Sequence, residues 1–201
     1  MVDREWLEAS MGQFVGTSTD ENSFRELYER HHRAVLAYLL RRVHRDVAYD
    51  AAEDVFLIAW RRIDDVPPDD GAIAWLYGVA RRVLANHRRS TVRLGRLTHR
   101  IAGSPTDPAP GPETETIDNL EKQVLLDTLR TLSERDQEVL RLAYWEELPH
   151  SDIGRILGCS TGAVHVRRHR AVQRLANALR RGGHIPVGRL ASLSDRKGER
   201  C

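Results

Sequence analysis

The stretch DIGRILGCSTGAVHVRRHRA, residues 152–171, joins a short apolar segment to a strongly basic one. Apolar residues recur at helical spacing in residues 152–157, which predicts a short helix that buries one face. Gly158 is typical of the left-handed residue that ends a helix, because glycine has no Cβ to clash there. Ser160 or Thr161 can then cap a second helix. The sequence therefore predicts two helices joined by a tight turn.

The second helix is predicted to have an apolar inner face and a basic outer face. Gly154, in the first helix, lies where a second helix could approach closely. The inner face is formed by Ala163, Val164, Ala171, Val172 and Leu175. A tight turn followed by a basic helix is typical of the helix-turn-helix, whose second helix enters the major groove of DNA. A helical hairpin whose basic face is merely solvated is the plainer alternative.

The charges of the chain are segregated, although its formal net charge is only +2 over 201 residues. Residues 81–100 and residues 153–181 each contain seven arginines and no acid. Acids concentrate in residues 46–54, 64–70 and 107–121. Two basic blocks indicate two contacts with a polyanion, and the acidic patches indicate a basic protein partner.

Neither a signal peptide nor a stretch of transmembrane length is evident, so we expect a cytosolic chain without membrane insertion. The two cysteines, Cys159 and Cys201, are too few for a disulfide framework. Cys159 lies beside the turn, where we predict a small packed residue rather than a redox switch.

Helical periodicity without sustained strand alternation predicts an all-α fold of two small helical domains joined by a flexible linker. In the first domain, the first helical pattern begins at Phe24 and the third helix ends near Arg89. Residues 103–116 contain four prolines and two glycines, a composition typical of a linker. The predicted segments are an N-terminal tail (1–22), a first domain (23–100), the linker (101–118), a second domain (119–181) and a C-terminal tail (182–201).

Longer motifs surround the turn. The stretch LLDTLRTLSERDQEVLRLAYWEELPHSDIGRILGCSTGAVHVRRHRAVQRL (125–175) resembles region 4 of bacterial RNA polymerase sigma factors of the extracytoplasmic-function (ECF) type. Their region 2 is similar to FRELYERHHRAVLAYLLRRV (24–43), AYDAAEDVFLIAWRRI (48–63) and AWLYGVARRVLANHRRS (74–90). The order of the two regions, with a variable linker between them, also fits. The resemblance implies a region 2 helical bundle and a region 4 helix-turn-helix.

Three carboxylates of the first domain, Asp50, Glu53 and Asp54, are spaced i, i+3 and i+4, so they share one helix face. The resemblance implies that this face docks on the clamp helices of core RNA polymerase, and that region 4 contacts the polymerase flap. Carboxylates without other ligands nearby are more typical of an exposed face than of a metal site. We predict no metal and no cofactor.

The resemblance also implies where promoter DNA binds the first domain. The Pro-rich loop 64–72 matches the family segment that captures an unstacked base of the −10 element, and the helix beside it carries cations for the DNA strand. Trp75 and Leu76 are predicted to be core residues. The expected −10 contacts are Asp65, Val66, Asp69, Asp70, Arg81, Arg82, Asn86, Arg88 and Arg89.

The second domain is expected to read the −35 element. Arg168 stands where the family usually has an apolar residue, which leaves open whether it faces inward or outward. The expected −35 contacts are Ser160, Thr161, His165, Arg167, Arg168 and Arg170. Arginine suits both tasks, because it forks onto guanine edges and grips phosphates.

The implied function is a non-enzymatic initiation factor that binds core RNA polymerase and promoter DNA. The resemblance further implies an anti-sigma partner, and we expect the free chain to be monomeric. A stand-alone regulator that binds an operator without polymerase is the main alternative. An enzyme such as a nuclease or metal hydrolase has less support, since His165 and His169 have the i, i+4 spacing of zinc helices but no further ligand nearby.

Overall fold

Seven α-helices make up the computed structural model of the chain, which describes residues 18–98 and 117–182. No strand occurs within these ranges, so the predicted all-α fold is confirmed. The chain divides into two compact units, with the boundary between Pro110 and Gly111. The helices are α1 (Ser18–Leu40), α2 (Arg45–Arg61), α3 (Asp70–Thr98), α4 (Ile117–Arg130), α5 (Glu134–Tyr144), α6 (His150–Leu157) and α7 (Thr161–Arg181), with a 3₁₀ turn at Ile63–Asp65.

Aromatic rings from α1 and α2 form the centre of the first unit. The Phe24 ring lies 5.2 Å from that of Trp60, and the Tyr28 ring lies 4.8 Å from that of Phe56, both edge to face. All four side chains are buried. Edge-to-face pairs stabilise a core beyond the area they bury, because the positive edge of one ring meets the negative face of the other.

A second aromatic pair joins α1 to α3. Tyr38 stacks on Tyr77 at 4.7 Å between ring centroids. The buried Arg42 guanidinium lies 3.5 Å from the Tyr38 ring centroid and donates to the Tyr38 carbonyl oxygen at 2.8 Å. A cation over an aromatic face is attracted by the ring quadrupole, so this arginine is accommodated inside the unit.

The second unit has an aliphatic core and polar links between its helices. Its buried apolar residues are Leu129, Val139, Leu140, Leu142, Ala143, Ile153, Ile156, Val164, Ala171 and Leu179. Ser133 caps α5, since its Oγ accepts from the Asp136 N–H at 3.2 Å. Arg174 of α7 donates to both carboxylate oxygens of the buried Asp136 at 2.8 Å. Both bonds come from Nη1, and these charge-assisted hydrogen bonds fix α7 against the start of α5.

Two helices are longer than predicted. Helix α1 begins at Ser18, so residues 18–22 do not belong to the predicted irregular tail. Asp20 and Glu21 lie in its first turn, where carboxylates interact favourably with the helix dipole. Helix α3 continues past the predicted end near Arg89 to Thr98, because no proline interrupts it.

The remaining segment predictions lie largely outside the described residues. The N-terminal tail up to residue 17, most of the linker 101–118 and the C-terminal tail from residue 183 are in this class. Helix α4 begins at Ile117, two residues inside the predicted linker.

Candidate nucleic-acid interface

The turn between α6 and α7 has the geometry that its sequence predicts. Gly158 has φ 66°, in the left-handed region. A Cβ on Gly154 would lie 2.7 Å from the Cys159 carbonyl oxygen, so only glycine allows this close approach. The Cys159 N–H donates to the Gly154 carbonyl oxygen at 2.9 Å, and Ser160 Oγ accepts from the Ala163 N–H at 3.2 Å. These bonds fix where α7 begins.

Helix α7 presents a cationic surface opposite its buried face. Val164 and Ala171 are buried, and Thr161–Arg181 contains no acid. Arg167 also donates from Nη1 to Cys159 Sγ at 3.5 Å, and Cys159 is half-buried. Residues exposed at the start and along the outer side of the helix are Ser160, Thr161, His165, Val166, Arg167, His169 and Arg170. A basic helix on a fixed turn suits the groove of a polyanion.

Arg168 lies apart from this outer surface. It is half-buried and follows Val164 by four residues and precedes Ala171 by three, so it shares their side of α7. His150, at the start of α6, packs edge to face on His165 at 5.8 Å. Burial lowers the pKa of His150, and the charges of Arg168 and His165 lower it further. Arg168 therefore faces the start of α6, and its predicted contact with DNA stays a prediction.

The three carboxylates of α2 are exposed on one face. Asp50, Glu53 and Asp54 point away from the buried Ala51 and Val55. They form an acidic face on the first unit, as their spacing predicts. Their role in binding polymerase is not tested by this geometry.

Asp54 has a partner that the sequence does not predict. Its Oδ2 lies 2.9 Å from His87 Nε2 of α3, a contact between residues far apart in the chain. The Asp54 side chain is 51% exposed and that of His87 is 32% exposed. The pair connects the acidic face to the helix predicted to bind the −10 element.

The middle of α3 carries the −10 contacts that are predicted on this helix, four arginines and one asparagine. Arg81, Arg82, Asn86, Arg88 and Arg89 are all exposed. Arg89 donates to the Asn86 side-chain oxygen at 2.8 Å and to a backbone carbonyl of its own helix, which restrains the arginine along the helix surface. The arrangement offers a cationic surface to a single strand.

The loop before α3 is held by local contacts. Arg62 donates from Nε to Asp65 Oδ2 at 2.7 Å, and its guanidinium carbon lies 5.9 Å from the Trp75 ring centroid. Asp69 has φ 52°, a left-handed conformation that aspartate tolerates better than most residues. Val66 is half-buried, and Asp70 begins α3.

Trp75 and Leu76 differ in their surroundings. Leu76 is fully buried, as predicted, whereas Trp75 is half-buried beneath Arg62. Trp75 is thus an intermediate case between the core residue that the sequence predicts and an exposed ring.

The described residues contain neither a membrane-spanning helix nor a cluster of metal ligands. Within residues 18–98 and 117–182, no helix is both long and apolar enough to span a bilayer. In the same ranges, no cluster of three or more histidine, cysteine or acidic side chains is placed to hold a metal ion.

The two units match two known protein families. Residues 27–94 match the model of Sigma-70 region 2, and residues 122–175 match that of Sigma-70, region 4. The sigma factor SigL of Mycobacterium tuberculosis, an ECF RNA polymerase sigma factor, is 31% identical over 182 residues, which cover 86% of this chain and 98% of SigL. The chain belongs to the ECF RNA polymerase sigma factors.

Other members of this family are similar over most of the chain. The ECF sigma factor BldN of Streptomyces coelicolor is 30% identical over 165 residues, covering 80% of this chain. The chain spans only 61% of the length of BldN. The structure of the sigma factor RpoE in complex with the anti-sigma factor NepR, from Bartonella quintana, has a TM-score of 0.63 and 22% identity, covering 78% of this chain and 96% of RpoE. At this identity the likeness to RpoE concerns the fold alone.

Several surface residues of this sigma factor are not predicted as site residues by its sequence. His87, Arg62 and Trp75 adjoin the predicted contacts of the first unit, and Gly162 and Val166 lie among those of the second. In the sequence, Val166 stands among basic residues that are the more evident candidates for DNA contacts. The burial pattern of the structure shows that its apolar side chain is exposed among them.

Proposed function

We propose that this ECF sigma factor binds core RNA polymerase through the acidic face of α2 and directs it to promoters through α7 and α3. The segregation of charge carries the proposal. Carboxylates cluster on an exposed face of α2, while α7 exposes arginines from Arg167 to its C-terminal end and contains no acid. A protein that joins a polymerase to DNA needs two such surfaces, one for a basic protein and one for a polyanion.

In this proposal each unit has its own task on the promoter. Helix α7 reads the −35 element, with Arg167 and Arg170 supplying phosphate and base contacts. The loop 64–72 and the cations of α3 hold the melted −10 strand, where unstacked bases need a binding surface. The core polymerase clamp helices and flap are the proposed protein contacts. The chain contributes binding and positioning, and the polymerase supplies the chemistry.

A protein inhibitor is part of the proposal. RpoE of Bartonella quintana was solved with the anti-sigma factor NepR, and RpoE shares the fold of this chain. We infer that an anti-sigma factor covers the exposed acidic and cationic faces described here. The acidic face of α2 and the cations of α3 lie on the first unit and the cations of α7 on the second, so an inhibitor that covers all of them would need to contact both units.

Transcription in vitro tests the proposal. Core RNA polymerase, the purified chain and genomic promoter fragments should give promoter-specific transcripts, whose yield falls steeply as salt rises. A variant with Asp50→Asn and Glu53→Gln should lose most of this activity, because it removes two charges of the proposed docking face. Both acids are exposed, so the variant should still fold.

A second pair of exposed acids provides the control. Glu26→Gln and Glu29→Gln, on α1, change the charge by the same amount and should leave transcription intact. Equal loss in both variants would contradict docking through the α2 face. If the chain alone bound an operator tightly and gave no transcripts with core polymerase, it would instead be a polymerase-independent regulator.

A further inference from the structure

Val166 is the most exposed large apolar side chain described in the second unit. It is 44% exposed, although it lies on a helix whose outer side is otherwise polar or charged. Its position is opposite the buried Val164 and Ala171, so its side chain points directly away from the core. The packing of the unit therefore gives no reason for a valine there.

Gly162, four residues earlier, lies on the same outward face. A Cβ there would meet no atom within 4 Å, and its φ lies outside the left-handed region. Neither packing nor backbone conformation requires glycine at this position, in contrast to Gly154 and Gly158. Glycine is a poor helix residue, because it loses the most backbone freedom on folding. An external surface that approaches α7 closely would explain its presence.

The two residues together form a small apolar strip at the start of α7. Helical side chains lean toward the N-terminus, so Val166 stands over the turn where Gly162 contributes no side chain. Basic side chains border the strip on both sides, with the arginines Arg167 and Arg170 on one and the imidazoles of His165 and His169 on the other. Such a border favours a polyanion over an apolar protein surface as the occupant.

DNA offers one apolar group in its major groove, the C5 methyl of thymine. The first residues of a recognition helix are those that reach the base edges. We propose that Val166 contacts a thymine methyl in the −35 element, and that Gly162 allows α7 to approach the bases closely enough for this contact. This inference rests on the proposed function, in which α7 enters the major groove at −35.

The methyl contact can be removed from the DNA without touching the protein. In a duplex that carries a −35 element transcribed by the holoenzyme, each thymine is replaced in turn by deoxyuridine, which lacks only the C5 methyl. The holoenzyme should bind one of these duplexes about fourfold more weakly, the factor expected from exposing one methyl group. The Val166→Ala holoenzyme should bind the thymine and deoxyuridine duplexes equally.

Two further variants separate recognition from folding. Leu126→Ala removes another exposed apolar side chain, on α4, and should keep the fourfold discrimination. Gly162→Ala should keep or raise the melting temperature, because its Cβ meets open space, while promoter binding weakens severalfold. A structural role for Gly162 would move stability and binding in the same direction.

Each failure has a separate meaning. The assignment of Val166 would be overturned by any of three results. The −35 element could contain no thymine, deoxyuridine could have no effect on binding by the wild type, or the Val166→Ala holoenzyme could still discriminate between thymine and deoxyuridine. Unchanged promoter binding in Gly162→Ala would overturn the role of Gly162. Absence of promoter-specific transcripts from the wild-type holoenzyme would overturn the proposed function itself.

Discussion

The two units expose basic helices on cores of different composition. In the first unit, tyrosine, phenylalanine and tryptophan rings from three helices pack together, and the rings of the Phe24–Trp60, Tyr28–Phe56 and Tyr38–Tyr77 pairs are all buried. In the second, no tyrosine or tryptophan of residues 117–182 is buried, and the aliphatic core is supplemented by Asp136, Arg174 and the α6–α7 turn. Packing of aromatic rings thus characterises the first unit, whereas the second unit combines aliphatic packing with a tight turn and hydrogen bonds between its helices.

The largest expected effect separates the two cores. Phe56→Ala removes a ring that packs against Phe24, Tyr28 and His32 and should destabilise the first unit by about 3–5 kcal/mol. Amide hydrogen exchange of the full chain should show faster exchange in α1–α3 and unchanged protection in α5–α7. Leu140→Ala, which should cost about 2–5 kcal/mol, is the matched change in the second unit and should give the reverse pattern. Loss of protection in both units from either change would show that the cores depend on each other.

An intermediate effect tests the geometry of the turn. Gly154→Ala places a Cβ against the Cys159 carbonyl oxygen and should destabilise α6–α7 by about 1–2 kcal/mol, since overpacking against backbone outweighs the helix gain. Hydrogen exchange of α6 and α7 in the full chain measures this change. Gly162→Ala, eight residues later, serves as the control and should leave exchange equal or slower. Similar behaviour of the two variants would mean that the close contact at Gly154 relaxes without cost.

The smallest effect concerns acid. Burial lowers the pKa of His31 and of His32 in the first unit, and the nearby Arg30 and Arg33 charges lower them further. The unfolded chain therefore binds protons at a higher pH than the folded chain does. The free energy of unfolding should stay level above about pH 6.5 and fall as the pH drops below that value.

Urea unfolding at several pH values measures this loss, which should be shallow because both imidazoles are only half-buried. His32→Gln should reduce the pH slope, since it removes the imidazole that stacks on Tyr28 at 4.7 Å. Burial also lowers the pKa of His150 in the second unit, one histidine against the two in the first, so hydrogen exchange should show α1–α3 to be the more acid-sensitive unit. An unchanged slope in His32→Gln would assign the effect to His31.

Features that depend on one or two neighbouring residues are predictable from the sequence. Gly158, Gly154, Ser160 and Ser133 take the conformations or contacts that their chemistry demands, because a turn or a cap is decided locally. Helical periodicity likewise identifies Leu76 as buried. The acidic face of α2 follows from spacing alone.

Contacts between distant residues are not predictable in this way. The Asp54–His87 and Asp136–Arg174 pairs depend on how whole helices cross, which periodicity does not specify. Arg168 illustrates a second limit, because its charge indicates the surface while its spacing places it beside Val164 and Ala171. Val166 is a third case: an apolar residue at an outward position is recognised only when its exposure is known.

The Asp54–His87 bond has a thermodynamic consequence. A ligand that displaces His87 from the Asp54 carboxylate breaks this bond and so changes the contacts of His87, on the helix that carries Arg88 and Arg89. Binding at the acidic face and binding at α3 then alter each other's affinity by the same factor, since such linkage is reciprocal. Both side chains are partly exposed, which limits the coupling to about 1 kcal/mol or less. One half-buried histidine thus couples ligand binding at the acidic face of the first unit to ligand binding at its basic helix.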